Sequence, residues 1–255
     1  MGAVCGRYVS AGDLADLSVL LGANPFAPDQ QPGTPDEGAA TEQDERLRRA
    51  RERRHGLAPT DPVPAVLPGS EPGSRQLDLL TWGLVPPWAD PRTGAQRINA
   101  RVETVTEKPS FRRAVRTRRA LLPADGWYEW RRGTDGTKQP HLVRPPDGAL
   151  LVFAGIAERA RDREGRSLRT CSILTGPAPE PLAWLHDRAP LLVPPALWTA
   201  WLDADADVDA LLEAVRSTPP PPLVVHPVSR AVNATRNTGP QLTEPLAAAV
   251  QDSLW

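Results

Sequence analysis

Leu150-Leu151-Val152-Phe153-Ala154-Gly155-Ile156-Ala157-Glu158 reads as a core strand, rich in Leu, Val, Ile and Phe. A second stretch of the same kind follows at Leu168 to Thr175. Downstream lies a loop with Trp184-Leu185-His186-Asp187-Arg188-Ala189-Pro190, then the strand-like Leu191 to Val193. Pro194-Pro195 precedes a helix bearing Trp198, Trp201 and Leu202, and Asp207 to Ser217 predicts a second helix. Pro219 to Pro222 end it, and Leu223 to Asn237 is the last ordered piece expected. Upstream, Gln76 to Leu84 alternates like a strand and runs into Trp82-Gly83-Leu84-Val85-Pro86-Pro87-Trp88. Val4 to Ser10 predicts a short first strand; Leu14, Leu17, Leu20 and Leu21 share a helical face that stops at Gly22. No internal repeat and no regular βαβ alternation is visible. The fold class is therefore α+β, with a mainly antiparallel, barrel-like β core and short flanking helices.

Composition narrows the function. A chain of 255 residues suits one large domain or two small ones. A net charge of -1 does not mark a nucleic-acid binder, so any basic surface has to be local. One such surplus exists: Arg101 to Arg132 holds nine Lys or Arg against four Asp or Glu. Two cysteines cannot build a disulfide framework, and four histidines without close Cys/His spacing argue against a structural metal site. No apolar run reaches the ~20 residues that span a membrane, and no signal-peptide pattern opens the chain. A cytoplasmic protein is expected. Residues 24–54 are expected to form an insertion: Asn24 to Ala40 is rich in Pro, Gly and Asp, and Thr41 to Arg54 alternates in charge. Its i,i+4 acid-base pairs could support an exposed helix.

The chain opens Met1-Gly2-Ala3-Val4-Cys5-Gly6-Arg7-Tyr8. As the first residue of a mature chain, Cys5 would carry an α-amine titrating near pH ~8 beside a thiol near ~8.5. Such a 1,2-aminothiol condenses with an aldehyde, first to an imine and then to a thiazolidine ring. Alternatively, Cys5 is a small buried hydrophobe at the start of a strand.

Five motifs in order carry a resemblance: Cys5-Gly6-Arg7-Tyr8, Trp82-Gly83-Leu84-Val85-Pro86, Asn99-Ala100-Arg101-Val102-Glu103, Gly126-Trp127-Tyr128-Glu129-Trp130 and His186-Asp187-Arg188. Together they resemble the SRAP (SOS response-associated peptidase) family, from Cys5 to about Pro240. The resemblance implies one compact domain over residues 5–245, with 1–4 as a leader or a misassigned start. It also implies covalent capture of abasic sites in single-stranded DNA by a monomer, through an N-terminal cysteine, with no cofactor and no metal. By the same resemblance Cys5 is the nucleophile, Asn99 orients its amine, Glu129 is the acid/base near the deoxyribose, and His186 assists ring opening. An abasic deoxyribose is mostly a closed hemiacetal, so a proton must move before the aldehyde appears. A carboxyl beside aromatic rings and an imidazole are suited to that transfer. Arg7, Arg101, Arg112 and Arg113 are expected to hold phosphates, and Trp88 and Trp127 to stack on or wedge between bases. Glu129 as a salt-bridged strand residue, His186 as a loop residue bonded to Asp187, and Trp127 or Trp130 as core packing are the structural alternatives.

Two departures stand out. Family members usually begin Met-Cys, whereas Gly2-Ala3-Val4 intervenes here. Removal of the leader by cleavage at Val4–Cys5, or translation from a GUG codon at Val4, would expose the cysteine. The segment before Ala58-Pro59-Thr60 is commonly Tyr-Asn-Val but is His55-Gly56-Leu57 here, so an asparagine expected to touch DNA is missing. Two other functions remain open: a cysteine-dependent peptidase acting on its own leader, and a non-covalent single-strand binding module.

Overall fold

The computed structural model describes residues 6–10, 12–25, 54–89, 97–161, 165 and 167–246. Cys5, residues 1–4 and residues 26–53 of the expected insertion, including all but the last residue of its charged stretch, lie outside the described residues. Two sheets carry the architecture. The first is built from β1 (Arg7–Ser10), β2 (Arg54–Leu57), β7 (Gly126–Arg132), β8 (Lys138–Arg144) and β12 (Val224–Pro227), in the order β12-β8-β7-β1-β2. The second is built from β3 (Pro62–Pro68), β4 (Arg75–Trp82), β6 (Arg119–Ala124), β9 (Leu151–Arg161), β10 (Ser167–Pro177) and β11 (Arg188–Pro190), in the order β11-β10-β4-β3-β6-β9. β9 and β10 also pair with each other, from Ser167 opposite Arg161 to Ile173 opposite Gly155. That pairing closes β10, β4, β3, β6 and β9 into a five-stranded barrel and removes both edges of the ring. Every ladder of the ring is antiparallel except β10 with β4.

The strand expected at Leu150 to Glu158 is the spine of this barrel. Its side chains alternate between two cores, as a period of two requires. Val152, Ala154 and Ile156 join a cluster with Leu121, Leu174 and the helices; Leu151, Phe153 and Ala157 join another with Tyr8, Trp82 and Trp127. Phe153 meets Tyr8 and Trp127 edge-on, with ring centroids 5.6 and 6.1 Å apart, and so links the barrel to the first sheet. Trp82 is fully buried, and its indole N–H donates to the Ile98 carbonyl at 2.9 Å, which fixes the chain just before Asn99.

The helices are short, as expected. α1 (Leu14–Leu20) starts at Asp13, whose carboxylate accepts from the Ala15 N–H, and stops at Gly22 with φ +56°. Leu17 and Leu21 are buried, but Leu20 is 63 % exposed, so the apolar face is narrower than its leucine spacing suggests. Among the described residues the other α-helices are α2 (Arg112–Thr117), α3 (Trp198–Leu202) and α4 (Val208–Ser217), the last capped by Asp207. Two boundaries differ from expectation. Arg54 opens β2 rather than ending a charged helix, and order persists past Asn237, because Leu242 plugs a third cluster with Val9, Tyr128 and Val232. No helix among the described residues is long and apolar enough to cross a membrane.

Candidate functional site

β7 supplies the site's framework. Trp127, Glu129 and Arg131 alternate onto one of its faces, and Tyr128 and Trp130 onto the other. Across the ladder, Trp127 lies opposite Val143, Glu129 opposite His141 and Arg131 opposite Gln139. Trp127, Glu129 and Val143 form one wall of a cleft of about 170 Å³, part of it open to solvent. Leu182, Leu185, His186, Arg188 and Ala189 form the other. Glu129 is 3 % exposed, so a buried carboxylate and a partly exposed imidazole line the same recess.

His186 follows a 3-10 turn at Glu180–Leu182, and its Nδ1 has two neighbours. The Arg188 backbone N–H lies 3.1 Å away and can donate to it; the Asp187 carboxylate lies 2.7 Å away and can accept from it. These two bonds exclude each other for one proton count. With Nδ1 bare the ring accepts from the Arg188 N–H, and with a proton on Nδ1 it donates to the Asp187 carboxylate.

Arg188 draws the remaining motifs together. Its guanidinium donates to both carboxylate oxygens of Glu103 at 2.9 Å and to the Thr175 carbonyl at 2.6 Å. This bidentate hydrogen bonding holds the Glu103 carboxyl below the usual carboxylate range. Glu103 ends the segment that begins with β5 (Asn99–Arg101), which runs parallel to β10 from Ile173 to Thr175. The clamp therefore fixes Asn99-to-Glu103 beside the His186 loop. Sequence reading assigned no role to Glu103 or Arg188, although both lie inside the quoted motifs; the signal was their opposite charges.

The N-terminal strand runs into the same region. β1 pairs antiparallel with β7 through Val9–Gly126, Tyr8–Trp127 and Arg7–Tyr128. Each step toward the start of β1 moves one residue along β7 toward Glu129. Cys5 itself lies outside the described residues.

The expected phosphate and base contacts fall into three groups. Arg101 is exposed on β5, and Trp88 is 66 % exposed with the Arg97 guanidinium 5.8 Å above its ring. Arg112 and Arg113 are exposed on α2, whose Ala114 and Val115 pack under the barrel's helical face, and neither lines the cleft. Arg7 and Trp127 are buried and need correction as surface contacts. Arg7 shares a face with Tyr128, the face turned away from Glu129, and is 4 % exposed. Its guanidinium donates to the Gly56 and Asn237 carbonyls, and burial lowers its pKa despite Tyr128 and Asp61 nearby. Trp127 is 2 % exposed and serves as cleft wall rather than as an open stacking platform. Among the described residues no cluster of His, Cys, Asp or Glu could hold a metal ion.

Comparison with known proteins gives consistent neighbours. The chain is 34 % identical over 192 residues to the abasic site processing protein YoqW of Bacillus subtilis, covering 74 % of this chain and 85 % of YoqW. It is 32 % identical over 201 residues to the abasic site processing protein YedK of Escherichia coli, covering 74 % of this chain and 88 % of YedK. A crystal structure of a Bacteroides thetaiotaomicron protein superposes with a TM-score of 0.74 at 18 % identity, over 95 % of this chain and all of that one, which shows a shared fold. A phage-related protein of Bordetella bronchiseptica superposes with a TM-score of 0.62 at 25 % identity, over 89 % of this chain and 95 % of that one. The family model described as SOS response associated peptidase (SRAP) matches residues 4–235, and the chain belongs to that family.

Proposed function

We propose that this protein processes abasic sites in single-stranded DNA by covalent capture at Cys5. The observation that carries the reading is that buried Glu129 and His186 line one cleft, at the β7 end toward which β1 runs. Relatives named as abasic site processing proteins supply the substrate class.

The chemistry balances with no outside reagent. The hemiacetal of the abasic deoxyribose opens by proton transfer between its ring oxygen and C1′ hydroxyl, with Glu129 and His186 as donor and acceptor. The Cys5 α-amine adds to the C1′ aldehyde, and the carbinolamine loses one water to give an imine. The thiolate then adds to the imine carbon, the nitrogen takes up a proton, and a thiazolidine closes. Asn99 orients the amine. Arg101 and Trp88, both exposed, contact the flanking phosphates and bases, while Arg112 and Arg113 add a more distant basic surface on α2. The route needs an amine at Cys5 free of Val4. Such a substrate belongs to a cytoplasmic protein that associates with the nucleoid when bound.

The test uses single-stranded DNA with one abasic site and a denaturing gel. A shifted band that survives denaturation is expected from protein whose Cys5 amine is free. Salt-sensitive retention without a surviving band would overturn covalent capture, and release of a leader peptide without a band would favour a peptidase.

A further inference from the structure

We propose that Trp184, with Arg131 beside it, is a docking platform for a nucleobase next to the lesion. The inference rests on the single-strand reading above and adds a contact that sequence reading did not assign. Trp184 is 42 % exposed, in the loop between two cleft-lining residues, Leu182 and Leu185. The Arg131 guanidinium lies 5.2 Å from the centre of its ring. Arg131 follows Glu129 by two positions, so both point to the same face of β7, about 7 Å apart along the strand. His141, opposite Glu129 on β8, meets the Trp184 ring edge-on at 5.5 Å and 86°. His141 is itself 7 % exposed, and burial lowers its pKa, so it supports the indole as a neutral ring. Trp184 is thus held from the protein side, one residue rank from the carboxyl expected to work on the sugar.

The chemistry of the pair indicates its ligand. An exposed indole offers stacking area that every base can use. Arg131 is exposed, and no carboxylate among the described residues forms an ion pair with it. A guanidinium whose partner is only an aromatic face has its N–H groups available to a phosphate. A nucleotide of the strand satisfies both, its base on Trp184 and its phosphate on Arg131. A sugar phosphate without a neighbouring base would satisfy only the second.

The test separates this contact from capture itself. Affinity for an undamaged single-stranded oligonucleotide is measured by fluorescence anisotropy for the wild type, Trp184→Ala and Trp184→Phe. The alanine variant should bind between about 5-fold and about 100-fold more weakly, and the phenylalanine variant should keep most of the affinity. The rate of capture of 2-deoxyribose 5-phosphate, which has no flanking base, should be the same in all three. Unchanged strand affinity in Trp184→Ala overturns the platform while leaving covalent capture standing. Equal slowing with the base-free sugar phosphate also overturns it, since Trp184 would then be supporting the cleft. A wild type that binds strands but captures no aldehyde overturns the capture reading and leaves the platform intact.

Discussion

Glu129 sits 3 % exposed in a cleft it lines with Trp127 and His186, whose Nδ1 has a donor and an acceptor beside it. Glu129→Gln keeps the shape and removes the exchangeable proton. Crosslink formation or reversal should slow by ~10²–10⁴ while strand affinity changes little, measured by timed quenching on denaturing gels. Gly56 makes a second point at this scale. A Cβ there would press on the Arg7 guanidinium, Leu242 and the Asn237 carbonyl, so Gly56→Ala should cost about 1–3 kcal/mol in denaturant unfolding. The motif spacing made Glu129 and His186 legible as candidates. It could not reveal which face of β1 or β7 a residue takes, because neighbours one position apart point oppositely. Arg7 and Trp127 were therefore expected at the surface and are found inside, and the family's missing asparagine corresponds to a glycine that lets Arg7 lie flat against the backbone.

The pairing of β8 with β12 carries an acid-sensitive element. His141 and His226 lie on these adjacent strands, His226 opposite Leu142, and burial lowers the pKa of both. The unfolded chain, with histidines near ~6.5, binds more protons than the native state as pH drops. Their contribution is present above the unfolded pKa and is lost as pH falls below it. Thermal midpoints should decline from pH 7.5 to 5, and His141→Phe should flatten that decline. An unchanged slope would show that His141 charges without penalty. Elements with strong local signals were readable: the helix capped by Asp207 and the strands around Phe153 and Cys171 stand within a few residues of expectation. Arg54 was misread because the charged run before it offered i,i+4 pairs, whereas its strand state depends on β1, more than forty positions away in sequence.

At the scale of the whole molecule, the barrel closes through β9 with β10, and Phe153 joins that barrel to the sheet bearing Glu129. Phe153→Ala leaves a void between Tyr8 and Trp127 and should cost about 3–5 kcal/mol, read as a lower denaturant midpoint. The barrel-like, mainly antiparallel core was legible in the sequence, but not which strands close it, since that depends on pairings between distant segments. Arg188, bonded to Glu103 and lining the cleft with Glu129 and His186, joins three separate stretches of chain at the site. The central claim is that this assembly serves an aminothiol at Cys5. The most direct measurement is the intact mass of the product between abasic single-stranded DNA and protein beginning at Cys5, alongside Cys5→Ala. The account predicts a wild-type adduct equal to protein plus DNA less one water, stable to denaturation, and none from the alanine variant. An equally stable adduct from Cys5→Ala, or a wild type that forms none, would contradict it.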